Sequence, residues 1–278
     1  MYRMQLLACQ LDIAWEDRET NLRTVCAMLD AQRPTPGSLI VLPEMFGVGF
    51  SMNVSRVVEA PDGPTAKCLA ELAVTQRSWV IGGVPVRDAS GRAQNTAIVI
   101  SPDGKVVARY AKLHPFALGG ERDHYAAGDA VVTVQCGEFQ VAPFVCYDLR
   151  FPESFRTATR RGAQLFAVIA NWPEARSEHW ITLLRARAIE NQAYVVGVNR
   201  CGSDPKLRYP GRSMIVDPSG EVLADAGSQQ SIIAAEAQRG RVESYRNQLP
   251  FLQDMRDDNE RPTRDTGVPP VQGAGECR

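Results

Sequence analysis

Short apolar runs alternate with segments of helical periodicity along most of the chain. The runs end at Pro, Gly or polar residues, as buried strands do. They cover residues 4–10, 38–44, 79–86, 95–101, 139–145, 164–170 and 194–199. Between them, apolar residues recur at helical spacing over Leu22–Leu29, after Pro64 and over about 177–191. Strands that alternate with helices in this way predict a layered α/β sandwich.

Two related turn sequences predict antiparallel hairpins within the sheets. They read "ISPDGKVVA" at 100–108 and "IVDPSGEVLA" at 215–224. Pro, Asp and Gly favour tight turns, and a strand-like run leaves each turn. The likeness leaves two interpretations open, an internal pseudo-symmetry or two similar hairpins by chance. In either case the sheets are predicted to be mixed rather than wholly parallel.

The overall composition favours a globular protein that acts on a small molecule. The 278 residues are 44% hydrophobic and 23% charged, which suits one large α/β domain or two small ones. A formal net charge of -1 provides no basic surface for nucleic acid. The N-terminal apolar stretch is too short for a secretory signal, and no run approaches the ~18–20 residues of a membrane span. We therefore expect a cytoplasmic protein without nucleic-acid or membrane partners.

The cysteines and the C-terminal composition add to this picture. The seven cysteines are odd in number and irregular in spacing, without a C-x-x-C pair, which indicates reduced thiols. Residues 257–278 are rich in Pro, Gly and charge and lack apolar periodicity. We predict one folded domain over 1–254 and a disordered tail over 255–278, in which Cys277 has no role.

Several familiar catalytic and cofactor motifs are missing from the sequence. His114, His124 and His179 have neither the i, i+4 spacing nor the cysteine partners of a zinc site. The paired glycines lie in neither a P-loop nor a dinucleotide-binding frame, and no G-x-S-x-G elbow occurs. We therefore expect no metal and no cofactor.

Three reactive side chains stand at the ends of apolar runs. Glu44 closes the run 38–44, Lys112 follows another run, and Cys146 follows the run 139–145. Each alone has an ordinary explanation as a surface charge or a small core residue. Together they are different, because the strand ends of an α/β sheet converge on one crevice. A thiol with a usual pKa of about 8.5 needs a neighbouring cation and base to react at neutral pH. Lysine and glutamate supply these, so the trio predicts a covalent acyl-enzyme.

The segments around these three residues resemble the motifs of one enzyme family. "LPEMF" at 42–46, "YAKLHPF" at 110–116 and "VCYDLRFPE" at 145–153 are similar to the Glu, Lys and Cys motifs of the nitrilase superfamily of carbon–nitrogen hydrolases. Longer stretches, such as "RARAIENQAYVVGVNRCGSD" at 185–204, resemble its omega-amidase branch. The resemblance implies an αββα sandwich with two mixed sheets, which pairs into four layers in a homodimer. It also implies hydrolysis of the terminal amide of 2-oxoglutaramate or 2-oxosuccinamate.

The resemblance assigns roles to particular residues. Cys146 is expected to be the nucleophile, Glu44 the general base and acid, and Lys112 the stabiliser of the oxyanion. The backbone N–H of Tyr147 is expected to be the second oxyanion donor. Glu121 matches a further glutamate that helps to position the substrate and the catalytic groups, although a solvated loop charge is the alternative.

The substrate pocket is less well defined by the sequence. Asn171, Trp172 and Phe116 are expected to line it, with core packing as the alternative for the two aromatic residues. Asp148 and Arg150 are expected to form local ion pairs or to cap the following helix. A substrate with a distal carboxylate needs a cationic or hydrogen-bonding group. The candidates for that group are Arg122, His124, Arg176, Arg208 and Tyr209.

Other functions remain open at this point. The same catalytic residues could act on another small linear amide, on an N-carbamoyl amino acid or on a nitrile. From a different class, a non-catalytic binding protein could keep the fold and use Cys146 as a sensing thiol. The presence of Glu44 and Lys112 argues against a pure binding protein, which does not need all three groups.

Overall fold

The computed structural model describes residues 3–256, which form two six-stranded sheets, a two-stranded hairpin and six α-helices. The strands are β1 (Arg3–Gln10), β2 (Leu39–Val41), β3 (Trp79–Arg87), β4 (Ala93–Ile100), β5 (Val106–Ala111), β6 (Val134–Cys136), β7 (Phe139–Val145), β8 (Leu165–Ala170), β9 (Tyr194–Asn199), β10 (Cys201–Ser203), β11 (Arg208–Pro210), β12 (Met214–Val216), β13 (Val222–Asp225) and β14 (Ser231–Gln238). The helices are α1 (Arg18–Gln32), α2 (Val54–Val57), α3 (Pro64–Gln76), α4 (Pro152–Arg160), α5 (Ser177–Asn191) and α6 (Arg239–Gln248).

Both large sheets are mixed, as the hairpin sequences predict. The first has the order β14-β1-β2-β3-β4-β5, with β1, β2 and β3 parallel and the other pairs antiparallel. The second has the order β13-β12-β9-β8-β7-β6, with β7, β8 and β9 parallel. Each sheet therefore consists of three parallel strands that continue into an antiparallel hairpin, and a further strand pairs on the other side. This repeated order favours the pseudo-symmetry over chance.

Alternating side chains of strand β1 contribute to two different cores. Leu6 and Ala8 are fully buried in the core that contains residues of the second sheet. Leu7 and Cys9 point to the other face, where they pack with Leu29 of α1 and with residues of α3. Successive residues of a strand face opposite sides of its sheet. A strand that lies between two layers therefore needs apolar residues at every position.

The second sheet is covered on its outer face in the same way by α5. The helix packs closely because β9 has a glycine beneath it: a Cβ atom at Gly197 would lie 2.4 Å from Cδ1 of Leu184. The layers therefore follow the order helix, sheet, sheet, helix, which confirms the predicted αββα fold class. Within residues 3–256, no helix has both the length and the apolar character needed to cross a membrane.

The predicted division at residue 254 stays a prediction. Only Met255 and Arg256 of the expected tail belong to the described part of the chain, and Cys277 lies outside the described residues.

Candidate active site

Cys146 stands where the buried strand β7 meets a tight turn. The strand ends at Val145, and Cys146–Arg150 form a single 3-10 segment. Cys146 has φ +48°, a left-handed conformation that costs a non-glycine residue roughly 1–2 kcal/mol. Asp148 holds the turn, because its carboxylate accepts a hydrogen bond from the backbone N–H of Val145 at 3.1 Å. The thiol is thereby presented at the end of the sheet with the residue 9% exposed.

Asp148 also joins this turn to the segment that contains Lys112. Its two oxygens accept from the Tyr110 hydroxyl at 2.8 Å and from the backbone N–H of His114 at 2.9 Å. His114 Nδ1 lies 2.8 Å from the same carboxylate. Burial, together with the charge of Asp148, holds the pKa of Tyr110 well above its usual value. The expected local cap is thus part of a buried link between two motif segments.

Lys112 lies between two buried carboxylates. Its Nζ donates to Glu44 Oε1 at 2.9 Å and to Glu121 Oε2 at 2.8 Å, and none of the three residues is more than 1% exposed. Burial opposes the ammonium charge, but Glu121 and Glu44 outweigh it and raise the pKa of Lys112 well above its usual value. The two carboxylates therefore favour the cationic form of Lys112. Glu121 is not a solvated loop charge, which rules out that alternative.

Two asparagines fix the oxygens of the carboxylates. Asn95 Nδ2 donates to Glu44 Oε1 at 2.7 Å and to Glu121 Oε1 at 2.8 Å. On the other side, the backbone N–H of Asn171 donates to Glu44 Oε2 at 2.8 Å, and its Nδ2 donates to the Glu44 carbonyl at 2.7 Å. Sequence reasoning missed Asn95. One feature of the sequence could have indicated it: Asn95 is an amide side chain at the start of an apolar strand. A polar side chain buried there needs hydrogen-bond partners.

The backbone around Glu44 is equally confined. Gly83 of strand β3 packs against it so closely that a Cβ atom there would lie 2.5 Å from the Glu44 Cα and 2.5 Å from the Met45 nitrogen. Gly83 N–H also donates to the Pro43 carbonyl at 3.1 Å. The position of Glu44 is therefore set by backbone packing as well as by its hydrogen bonds.

The surroundings of Cys146 favour the neutral thiol. Its Sγ lies 4.0 Å from the Asn171 carbonyl oxygen. Burial and the negative charge of Glu44 raise the pKa of Cys146 well above its usual value, although Lys112 acts in the opposite direction. The thiolate form of Cys146 is therefore disfavoured in this site.

Cys146 opens onto a cavity of about 440 Å³. The four predicted lining residues Tyr147, Asn171, Trp172 and Phe116 all contribute to its surface. Further apolar and aromatic lining, which the sequence did not indicate, comes from Trp15, Phe50, Met52, Leu118 and Leu207. Within residues 3–256, no group of three or more His, Cys, Asp or Glu side chains is arranged to hold a metal ion. The cavity has the size of a small-molecule site.

A comparison with protein families identifies this arrangement. Residues 6–247 match the model of the carbon–nitrogen hydrolase family. The chain belongs to the carbon–nitrogen hydrolase family. It is thus an enzyme that hydrolyses carbon–nitrogen bonds.

Individual relatives of this carbon–nitrogen hydrolase cover nearly its whole length. Omega-amidase YafV of Yersinia enterocolitica is 38% identical over 256 residues, which cover 91% of this chain and 97% of the relative. The 2-oxoglutaramate amidase of Bacillus subtilis is 31% identical over 251 residues, with 90% and 96% covered. The structure of XC1258 from Xanthomonas campestris, a CN-hydrolase superfamily protein with an arsenic adduct in its active site, has a TM-score of 0.87 at 32% identity, with 92% and 98% covered. These similarities confirm the predicted superfamily, the resemblance to omega-amidases and the fold class.

One part of the hydrolase cavity is cationic. The Arg150 guanidinium lies 4.8 Å from the ring centre of Trp172, and the Arg176 guanidinium lies 5.5 Å from that of Phe116. Burial and the positive charge of Arg176 lower the pKa of Arg150. The prediction of a local ion pair for Arg150 is wrong. Within the described part of the chain, no carboxylate oxygen lies within 4 Å of its guanidinium nitrogens. Its Nη2 instead lies 3.2 Å from His179 Nδ1.

The five candidates for a carboxylate-binding group differ in whether they line the cavity. Arg176 and Tyr209 line the cavity, whereas Arg122, His124 and Arg208 are not among its lining residues. Arg208 pairs with Glu174 at 3.8 Å. The Tyr209 hydroxyl donates to Asp204 at 2.5 Å, so its proton is already engaged.

Proposed function

We propose that this hydrolase is an omega-amidase, which converts 2-oxoglutaramate or 2-oxosuccinamate and water to the oxo-dicarboxylate and ammonia. The observation that carries the proposal is the buried Glu44–Lys112–Glu121 network beside Cys146, at the bottom of a cavity with a cationic part. The named activities of the relatives point to the same class of substrate.

The first step forms a bond between Cys146 Sγ and the amide carbon. Because the surroundings of Cys146 favour the neutral thiol, Glu44 takes its proton as the sulfur attacks. The amide oxygen becomes an oxyanion, which the Lys112 ammonium stabilises. The backbone N–H of Tyr147 is the second donor, since an N–H in the first turn of a helical segment has no partner within that segment.

The second step breaks the carbon–nitrogen bond. Glu44 returns the proton to the leaving nitrogen, ammonia departs, and a thioester remains on Cys146. Glu44 then takes a proton from water while the hydroxide oxygen bonds to the thioester carbon. The carbon–sulfur bond breaks, the acid leaves, and the sulfur regains its proton. Glu121 acts by holding Lys112 and Asn95 in place rather than by transferring protons.

The decisive experiment measures ammonia release from 2-oxoglutaramate, glutaramate and an N-carbamoyl amino acid. We expect 2-oxoglutaramate to have the highest kcat/KM, and the proposal fails if either other compound exceeds it. Mass spectrometry of enzyme quenched during turnover should show an acyl adduct on the peptide that contains Cys146. If Cys146→Ala keeps full activity and no adduct is found, the proposed thioester on Cys146 is wrong, and another group must attack the amide.

We also propose that the enzyme forms a homodimer through the outer face of α5. Three exposed apolar side chains support this proposal. Ile189 on α5 is 43% exposed, and Leu249 and Phe251, which follow α6, are 48% and 41% exposed. The Gln192 side chain donates to the Leu249 carbonyl at 2.8 Å, so the C-terminal segment lies next to the end of α5. Sedimentation equilibrium of the full chain should give twice the monomer mass, and Ile189→Asp should lower it to that of the monomer.

A further inference from the structure

We propose that Asp148 is a positioning residue for the oxyanion, because its carboxylate holds the two donors, the Lys112 ammonium and the Tyr147 N–H, in a fixed relation around the nucleophile. This inference rests on the proposed function and deepens its mechanism. Asp148 is fully buried and is not among the residues that line the cavity, so it acts through its neighbours and not on the substrate.

One carboxylate joins residues 110–114, the lysine segment, to residues 146–150, the cysteine turn. Its Oδ1 accepts from the His114 backbone N–H at 2.9 Å. Its Oδ2 accepts from the Tyr110 hydroxyl at 2.8 Å and from the Val145 N–H at 3.1 Å. Tyr110 and His114 flank Lys112 at two residues on either side, and Val145 directly precedes Cys146. A shift of either segment relative to the other therefore breaks a buried hydrogen bond.

Aromatic contacts close the same link. The His114 ring stacks on Phe151, which directly follows the cysteine turn, with ring centres 3.7 Å apart and planes 12° apart. The Tyr110 ring meets Phe144 of β7 edge-on at 5.6 Å. The lysine segment continues from β5 of the first sheet, and the cysteine turn continues from β7 of the second. The link therefore fixes how the two sheets meet at the site.

The cysteine turn needs such support because its first residue is strained. Cys146 has φ +48°, and a non-glycine residue keeps this conformation only where its surroundings determine it fully. The bond from the Val145 N–H to the carboxylate fixes the backbone immediately before Cys146. The direction of the Tyr147 N–H depends on the same backbone. Loss of the carboxylate therefore disturbs this N–H as well as the support of Lys112.

Asparagine at position 148 keeps the shape of the side chain but cannot serve all of the donors. In one orientation its NH₂ group faces the Val145 N–H, and in the other it faces the His114 N–H. One buried backbone N–H therefore loses its acceptor in either case. Burial and the charged groups of the Glu44–Lys112–Glu121 network dominate the pKa of the Cys146 thiol, so Asp148→Asn changes geometry more than thiol acidity.

The test compares Asp148→Asn with Asp217→Asn as a matched control. Asp217 is also fully buried and also holds a turn, since its Oδ1 accepts from the backbone N–H groups of Ser219 at 2.9 Å and Glu221 at 3.0 Å. It lies beside the β12–β13 hairpin and is not among the residues that line the cavity. Both substitutions should lower Tm by about 2–10 °C. Only Asp148→Asn should also lower kcat, by about 100-fold, with KM within about threefold, since the oxyanion contacts form in the transition state.

Alkylation separates the oxyanion donors from the thiol itself. When Cys146 Sγ attacks iodoacetamide, a carbon–sulfur bond forms and iodide leaves, so no oxyanion develops. We therefore expect Asp148→Asn to be alkylated at pH 9 within about fivefold of the wild-type rate. Equal losses of alkylation and turnover would overturn the proposal, because the aspartate would then support only the thiol. A fall in kcat no larger than that of Asp217→Asn would overturn it as well.

Tyr110→Phe keeps the proposal testable if Asp148→Asn does not fold. It removes one donor to the carboxylate without a change of ring shape, and kcat should fall about three- to tenfold at unchanged KM. If both variants fold, the double variant should lose less than the product of the two single losses, because both act through one link. An unchanged kcat in folded Tyr110→Phe would show that the link does not position the donors.

The substrate profile distinguishes failure of this inference from failure of the proposed function. If the wild type hydrolyses another amide better than 2-oxoglutaramate and Asp148→Asn loses kcat on that amide, the omega-amidase proposal fails and the positioning role stands. If the wild type prefers 2-oxoglutaramate and Asp148→Asn keeps its kcat, the positioning role fails and the omega-amidase proposal stands.

Discussion

Replacement of Glu121 by glutamine tests the buried charge network with almost no change of shape. Glu121 Oε1 accepts from Asn95, and Oε2 accepts from Lys112 at 2.8 Å and from the Phe116 N–H at 2.6 Å. Every neighbour is a donor, so a glutamine NH₂ group faces another donor in either orientation. The substitution also removes one of the two carboxylates that pair with Lys112.

The magnitude follows from the full burial of Glu121. Breaking a buried ion pair by removing one partner costs about 3–5 kcal/mol, and Glu44 remains to pair with Lys112, so we expect about 3 kcal/mol. In a domain of this size that lowers Tm by about 6–12 °C. Lys112 should also lose its fixed position, with a fall in kcat of about 10²-fold, as for the loss of an oxyanion donor.

The assay combines calorimetry with steady-state kinetics on 2-oxoglutaramate. Glu174→Gln is the matched control, because Glu174 forms an exposed pair with Arg208 and its loss should change stability by less than about 0.5 kcal/mol. A Glu121→Gln enzyme with a Tm within about 2 °C of the wild type and unchanged kcat would refute the reasoning about both the network and the position of Lys112.

Two further predictions concern the backbone near Glu44 and the state of the thiol. Gly83→Ala forces a Cβ atom against the Glu44 Cα. We therefore expect the free energy of unfolding, measured in urea, to fall by about 1–3 kcal/mol, and kcat to fall as well. A variant with the activity and stability of the wild type would show that this close packing is wrong. Because the pKa of Cys146 is raised, its alkylation by iodoacetamide without substrate should be slow at pH 7 and should keep rising above pH 9. A rate that already reaches its plateau below pH 7 would show a resting thiolate.

The predictions made from the sequence were best where a pattern is local. The helix expected over about 177–191 is Ser177–Asn191, and the strand expected at 194–199 is Tyr194–Asn199, because periodicity and turn residues mark both. The strand expected at 38–44 is shorter, Leu39–Val41, although the Leu42 N–H and the Pro43 carbonyl still form hydrogen bonds with β3. The convergence of Glu44, Lys112 and Cys146 follows from their places at strand ends, and their assigned roles remain part of the proposal.

What the sequence did not reveal depends on contacts between distant segments. Asn95 is an ordinary polar residue until the fold places it between Glu44 and Glu121. Arg150 was expected to have a local ionic partner, but its surroundings come from α5 and from Trp172. Such relations arise only when the fold brings distant segments of the chain together, so no periodicity or spacing along the chain predicts them.

The hydrogen bond from Asn171 N–H to Glu44 Oε2 crosses from the second sheet to the first, at 2.8 Å. Glu44, the proposed base, is attached to one half of the pseudo-symmetric fold, and Cys146, the proposed nucleophile, is attached to the other. Neither half contains all of the proposed catalytic residues, so we expect the enzyme to be inactive in any state in which the halves have separated, even if each keeps its own strands. Turnover is thus a sensitive reporter of sheet docking, and inactivation in urea should coincide with the loss of the inter-sheet core rather than with fraying of the outer helices.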